Sequence, residues 1–494
     1  MTALRTPRFD STVIVILCAA FAIGGWLRFE HLDRLDMNGG EAVSWVAAAQ
    51  PTVYEVIAHA LPLNPGKLGA HDVALHLWMR VFGDRLTSIR ALSAFCGLLS
   101  IVFIFLLVRE LFASLDNGRI PTASRDWIAA ITALLAALSP TLIHHSQEAR
   151  MYALLVAAIV AQVWFFIRAV RIGGWLNYVA LTAASLLAIA AHFTAGSVMI
   201  AEALWLAPDL VSNLRHAENP ARIRTSLKVI GALVCAGLIL LPILYVPIRF
   251  AAGFVSANGF RWVRPPVLLA PLEFFVLGAA GGANGPLSSY HPMSAAFIVM
   301  ASLAVWGAIR GLRSAGGAVT FALLWMFVPT ILPQILSYLV TPFFLFEYAL
   351  PSYIPFLMLV ALGIRELGAW RSYVALALVL AFAVAPIQLH RARTVHEQWQ
   401  AASEFTAANL RPDQFAMVVP GWTADVMHYY LRNRPDVRVE GAPNHAAQIA
   451  PPFPNLLIVT SAVAVKDPIR IRLLAADPHL LRKYIGLSVY GPPP

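Results

Sequence analysis

The sequence predicts an all-α multi-pass membrane protein of about eleven spanning helices with a small C-terminal α/β extramembrane domain. Three observations predict it. Residues 1–390 contain about eleven long apolar segments, each able to cross a hydrocarbon core ~30 Å thick as a helix rising ~1.5 Å per residue. Of the 494 residues, 59% are apolar and 13% charged, against about 25% charge in a soluble domain. After residue 390 the long runs stop, and short apolar runs of strand length alternate with turn residues.

Segments 11–27, 229–248, 293–309, 348–364 and 372–389 carry no charge, and neither does 315–346. They must be helical, because lipid offers no partner for an unpaired backbone amide. The run 11–27 is longer than most signal-peptide cores and has no small-residue cleavage site behind it, so it reads as the first span. Loops 1–10, 109–126, 168–175, 210–228, 310–313 and 365–371 are rich in Lys and Arg, whereas 144–150, 190–193 and 341–347 are nearly free of them. That alternation puts the N-terminus and the basic loops in the cytoplasm. An odd number of spans then puts the tail outside. The outer loop 28–86 shows helical patterns at 41–50 and 51–61, with Pro51 at a helix start. A short surface helix follows at 71–83, bearing Asp72, His76 and Arg80. A second outer loop, 250–291, is rich in Gly, Pro and aromatic residues. In the tail, 415–419 and 456–461 read as strands and 423–431 as a helix. The domain division is therefore 1–390, transmembrane with two outer loops, and 391–494, a small outer domain.

The net charge of +10 does not point to nucleic acid, because the basic residues sit in short loops rather than on one soluble module. They orient the chain and meet anionic head groups. Cys18, Cys96 and Cys235 all lie in apolar runs and read as buried thiols. The chain contains no P-loop, no paired-Cys zinc spacing, no His-Glu-x-x-His and no Gly-x-Ser-x-Gly.

Ionisable residues collect at one membrane face: Asp36, Glu41, Lys67, His71, Asp72, His144, His145, Glu148, Arg150, His192, Arg261, Arg264, His291 and Glu347. Such residues at span ends face one another or a wet cavity. Arg150 opens a span, and its planar fork of donors suits a phosphate; the alternative is an interfacial anchor. Arg261 and Arg264 flank Trp262 and suit an anionic head group. His192 stands alone between two apolar helices, where a histidine also serves as hydrogen-bonded structure. Glu41 follows Gly39-Gly40 at a helix start. It is the candidate general base, and equally an acid favoured there by the helix dipole. The His144-His145 doublet does not by itself make a metal site, because adjacent residues on a helix point in different directions.

Several stretches together carry a resemblance. They are Leu75-His-Leu-Trp-Met-Arg-Val-Phe-Gly83 with Ser88-Ile-Arg-Ala-Leu-Ser-Ala-Phe95, Leu138-Ser-Pro140 through Ser146-Gln-Glu-Ala-Arg-Met-Tyr152, Ala191-His192-Phe-Thr194, and Tyr348-Ala-Leu-Pro-Ser-Tyr-Ile-Pro355. In the tail, Trp399-Gln-Ala-Ala, Pro412-Asp413 and His428-Tyr-Tyr-Leu431 extend the likeness over nearly the whole chain. The chain resembles the GT-C-type membrane glycosyltransferases of the protein O-mannosyltransferase and lipid A aminoarabinose transferase kind. The resemblance implies a GT-C-like fold, a polyprenyl-phosphate sugar donor, a lipid or protein acceptor hydroxyl, and inverting transfer at the outer face of a bacterial inner membrane. It leaves a divalent metal open and assigns no metal ligand.

Carried over residue by residue, the family's acidic Asp-Glu pair appears as Gly40-Glu41, so Glu41, with Asp36 nearby, is the implied catalytic group. The family's basic-Pro-Pro stretch appears as Lys67-Leu68-Gly69, so only Lys67 transfers. An Arg common before the Tyr-x-x-Pro stretch is Glu347 here. Arg150 and His192 match without departure. The implied donor-binding set is Lys67, Arg150, Arg261 and Arg264, supported by His71, Tyr152, His192 and Glu347. Two alternatives stand beside the transferase. A lipid-linked sugar flippase would show repeated halves and broken helices at the midplane, and none is visible. A non-catalytic envelope-complex partner would fit the loss of the family's Asp.

Overall fold

The structure is a computed structural model. It describes residues 10–63, 66–115, 120–216, 219–256, 265–280, 291–340, 342–393, 397–443, 448, 454–461, 463, 467–474 and 479–491. The chain forms two compact units. The first comprises Met1–Glu30, Leu61–Ala74 and Arg90–Ala392; the second comprises His31–Ala60, Leu75–Ile89 and Arg393–Pro494.

In the first unit, nine of the described helices are long and apolar enough to cross a membrane. With the bent pair Thr122–Ala137 and Pro140–Ser146, and the 17-residue helix Trp175–Ala191, they match the expected apolar segments in order. The bend, 60°, was expected to be one straight span. It falls at Ser139-Pro140 because proline cannot continue the helix before it. Ser139 then caps the new helix, its Oγ accepting from Leu142 N at 3.4 Å. Buried Arg28, at the end of helix Ser11–Phe29, closes the C-terminus of Thr122–Ala137. Its guanidinium donates to Ala137 O (2.9 Å) and Ala136 O (3.1 Å), carbonyls of the last turn, where a helix runs out of its own N–H donors.

Ion pairs tie the basic loops to one another. Arg109 meets Asp126 at 2.6 Å, Arg171 meets Glu110 at 2.7 Å, and Arg310 meets Glu366 at 3.7 Å. Arg365 donates to Ser124 Oγ at 3.3 Å. Among the described residues, parts of the loop expected over 250–291 are helical. Helix Pro220–Ser256 runs past 250 through an apolar stretch with no proline, and Ala270–Ala280 forms a further apolar helix whose Phe274 and Phe275 join the core.

The second unit holds a five-stranded sheet of β1 (Phe415–Val419), β2 (Arg438–Gly441), β3 (Leu456–Thr460), β4 (His479–Tyr484) and β5 (Leu487–Gly491), in the order β2-β1-β3-β5-β4. Strands β1, β2 and β3 are parallel; β5 pairs antiparallel with both β3 and β4. The expected strands are β1 and β3, both apolar. β2 and β4 are polar, and the alternation of β5, with Leu487 and Val489 buried, spans too few residues to stand out. Helix Gly39–Ala48 packs here against helix Ala424–Tyr430: the Trp45 and Tyr429 rings meet edge-on at 5.2 Å, and Met37 N donates to Tyr430 Oη at 2.9 Å.

Candidate active site

The first unit brings Lys67, His71, Arg150, Tyr152, His192 and Glu347 into one cluster. Its centre is the turn after helix Pro140–Ser146. There the side chain of Gln147 is held from two sides: Nε2 donates to Leu27 O (2.8 Å) and Glu30 O (3.2 Å), while Oε1 accepts from His390 Nε2 at 2.8 Å. The turn closes with Arg150 N donating to Glu148 O at 2.8 Å. Arg150 then lies 4.9 Å over the Tyr152 ring, a cation–π contact at the start of helix Tyr152–Arg171.

Two backbone stitches bring the Lys67 loop to His192. Leu68 N donates to Ala190 O at 3.1 Å, and Phe193 N to Gly66 O at 3.0 Å. Lys67 Nζ pairs with Asp72 Oδ1 at 2.7 Å, both side chains buried. His192 ends helix Trp175–Ala191, 4.7 Å from the Tyr348 ring and 6.5 Å from that of Tyr152. Glu347 and Tyr348 come from the 3₁₀ turn Phe346–Ser352.

Burial by itself disfavours the charged Arg150, but Tyr152, Glu148, Glu347 and Tyr348 outweigh it and hold the guanidinium firmly protonated. For Glu148 burial pushes upward, and His144, His145 and Arg150 together pull the carboxyl well below its usual range. His71 is pushed down to about 4, chiefly by burial, with Asp72 opposing and Lys67 and Arg150 adding to the shift. His192 falls to about 3 through burial and the same two cations. Both imidazoles are therefore neutral at pH 7. Neither ring nitrogen of His71, nor Nε2 of His192, has a partner among the described residues.

His144, His145 and Glu148 also converge, which the doublet did not suggest. Their ligand atoms lie within 4.8 Å of one another. The helix ends at His145-Ser146, so Glu148 in the following turn reaches back, and the rings present different nitrogens, Nε2 of His144 and Nδ1 of His145. A cavity of about 20 Å³, room for about one water, adjoins His145, Glu347, Thr141 and Gly278.

Asp36 and Glu41 belong to the second unit and have structural duties there. Glu41, fully buried, is the third residue of helix Gly39–Ala48. Its carboxylate accepts from Asn38 N at 3.1 Å, while Asn38 Oδ1 accepts from Glu41 N at 3.0 Å, forming a reciprocal capping box. Asp36 Oδ2 accepts from Gln400 N at 3.0 Å, at the start of helix Trp399–Asn409. Arg261 and Arg264 lie outside the described residues. The sequence reading passed over Tyr348 and Thr194; both stand inside the quoted motif stretches, which was the available signal.

No curated protein matches the sequence. Among solved structures, ArnT from Cupriavidus metallidurans in the apo state shares 14% identity and superposes with a TM-score of 0.60 over 97% of each chain. ArnT bound to undecaprenyl phosphate gives 0.57 at 14% identity, over 97% of this chain and 98% of that one. The Archaeoglobus fulgidus oligosaccharyltransferase, in complex with Zn and sulfate, gives 0.54 at 16% identity, over 90% of this chain and 68% of that one. Residues 71–245, which include His71, Arg150 and His192, match the family model for dolichyl-phosphate-mannose-protein mannosyltransferases, and the chain has the fold of the GT-C membrane glycosyltransferases.

Proposed function

We propose that this chain is an inverting glycosyltransferase that moves a sugar from a polyprenyl-phosphate donor to a hydroxyl of a lipid or protein, at the outer face of a bacterial inner membrane. The observation that carries this reading is Arg150: a charged guanidinium at the mouth of a membrane helix, with Lys67 and two neutral histidines around it. The fold is shared with a protein solved with undecaprenyl phosphate. When the acceptor oxygen attacks the sugar C1, the bond from C1 to the phosphate oxygen breaks and the phosphate takes the electron pair. Fixed cations and N–H donors favour that change. The acceptor proton passes to a carboxylate, for which Glu41 is our assignment, with Asp36 supporting.

A divalent metal belongs to the same reading. Two donors on one tetrahedral ion at ~2.0–2.2 Å stand ~3.4 Å apart. His144 Nε2 stands 3.5 Å from Glu148 Oε1 and His145 Nδ1 3.5 Å from Glu148 Oε2, and one ligand atom from each residue lies within 4.8 Å of the others, so a small rotation of the side chains would bring all three onto one ion. Those three would hold the ion with a position left open, and it would serve as a Lewis acid toward a phosphoryl oxygen.

The test uses purified full-length protein and a labelled polyprenyl-phosphate sugar. Sugar appearing on an acceptor supports transfer. Donor that crosses the bilayer intact supports a flippase. Arg150→Ala should weaken donor-lipid binding by roughly 10- to 100-fold, the worth of a charged hydrogen-bonded contact; unchanged binding rejects the phosphate role. Zinc or cobalt content near one per chain, lost in Glu148→Gln, supports the metal set, and absence from the wild type rejects it. A non-catalytic partner remains the second reading because Gly40 replaces the family's Asp and Glu41 closes a capping box.

A further inference from the structure

His192 is fully buried, yet one of its ring nitrogens has no partner among the described residues. The two nitrogens can be told apart. Nδ1 lies 2.9 Å from Thr194 Oγ1 and 3.4 Å from Thr194 N. A backbone N–H can only donate, so Nδ1 must present its lone pair there. A neutral imidazole carries its single proton on the other nitrogen, so Nε2 is an N–H donor. Buried polar groups are satisfied in native proteins, and an orphaned donor calls for an acceptor. The surroundings indicate what kind. The ring stands beside Tyr348 and Tyr152, within the field of Arg150 and Lys67. Two cations and a neutral N–H select an anionic oxygen.

We propose that Thr194 is a positioning residue that locks His192 in its Nε2–H form, and that this N–H donates to a phosphate oxygen held by Arg150 and Lys67. The inference rests on the polyprenyl-phosphate reading for its ligand, but not for its tautomer. The arrangement is already in place before ligand arrives, so no proton has to move on binding. It also explains how a histidine can share a site with two cations: it acts as a neutral donor and adds no repulsion.

The two halves separate by experiment. In ¹⁵N-histidine-labelled full-length protein without ligand, the His192 nitrogens should show a protonated Nε2 and a bare Nδ1. Thr194→Val should mix the tautomers, and Thr194→Ser should restore the wild-type pattern. A bare Nε2 in the wild type, or no change in Thr194→Val, overturns the role of Thr194. For the ligand half, the probe is undecaprenyl phosphate titrated into detergent-solubilised protein. His192→Gln, whose amide N–H reaches about as far as Nε2–H, should stay within about 3-fold of wild type. His192→Asn, whose amide stops near the Nδ1 position, should bind about 10-fold more weakly, and Thr194→Val several-fold more weakly. Equal affinities for the Gln and Asn variants, both folded by thermal melt, overturn the Nε2 contact. A wild-type protein that binds no undecaprenyl phosphate overturns the donor reading and this contact together, while the ¹⁵N pattern still decides the Thr194 assignment.

Discussion

A carboxylate at a helix start can be a cap or a base, and Glu41 shows how to separate the two. Gln serves the third position of a capping box as well as Glu does, but it cannot accept a proton. Glu41→Gln should therefore change stability by under about 1 kcal/mol while lowering transfer at least 100-fold; unchanged transfer in a folded variant removes the base assignment. The buried histidines give a second expectation. His71 and His192 titrate near 4 and 3 in the fold and near 6.5 when unfolded. Between those values the unfolded chain binds more protons, so stability is full above pH 6.5 and falls as pH drops toward 4. Glu148, depressed in the fold, adds to the loss below about pH 4.5. Melting temperature in detergent should fall over that window, and less steeply in His71→Gln; a flat profile would mean the rings are not buried neutral. Arg150, Lys67 and His192 were legible in the sequence because a charged or titratable group breaking an apolar run is conspicuous. The duties of Asp36 and Glu41 were not, since cap and base use the same residue type at the same place. Nor was the convergence of His144, His145 and Glu148, which depends on where a seven-residue helix stops.

Among the elements, the tightest crossing is made by two glycines. A Cβ on Gly363 of helix Tyr353–Glu366 would run into Leu303 O of helix His291–Ser314. One on Gly307 would meet Gly363 N at 2.6 Å. The backbones touch there, the small-residue packing that lets helices associate in lipid. Replacing Gly363 with Val should cost about 3 kcal/mol or more. Gly196 in helix Ala195–His216 has open space around its Cβ, so Gly196→Ala should be neutral or slightly stabilising. Thermal melts of the two variants in one detergent check the pair; similar losses would mean that the two backbones do not touch at this crossing. Apolar runs without charge made the spans readable in order. Their contacts were not readable, because Gly307 and Gly363 look like any other glycine in an apolar stretch until the partner helix is known.

At the scale of the molecule, the charge alternation read from the loops turns into two faces of the first unit. Basic loops from four parts of the chain meet through Arg109–Asp126, Arg171–Glu110, Arg310–Glu366 and Arg365–Ser124. The basic-poor turns meet one another separately, through His192–Tyr348 and Tyr152–His192. That grouping is the one the positive-inside rule expects, and we propose that the basic face lies toward the anionic cytoplasmic leaflet. The site should consequently open on the opposite side, and an odd number of spans should carry the tail out with it. In a chain stripped of Cys18, Cys96 and Cys235, single cysteines at Arg222 and Asp436, both exposed, report the two sides. A membrane-impermeant maleimide applied to intact cells should label Asp436→Cys at once and Arg222→Cys only after the membrane is opened. The reverse pattern would place the phosphate-binding groups in the cytoplasm, where a donor facing the outer leaflet could not reach them, and the transferase reading would fail with the topology.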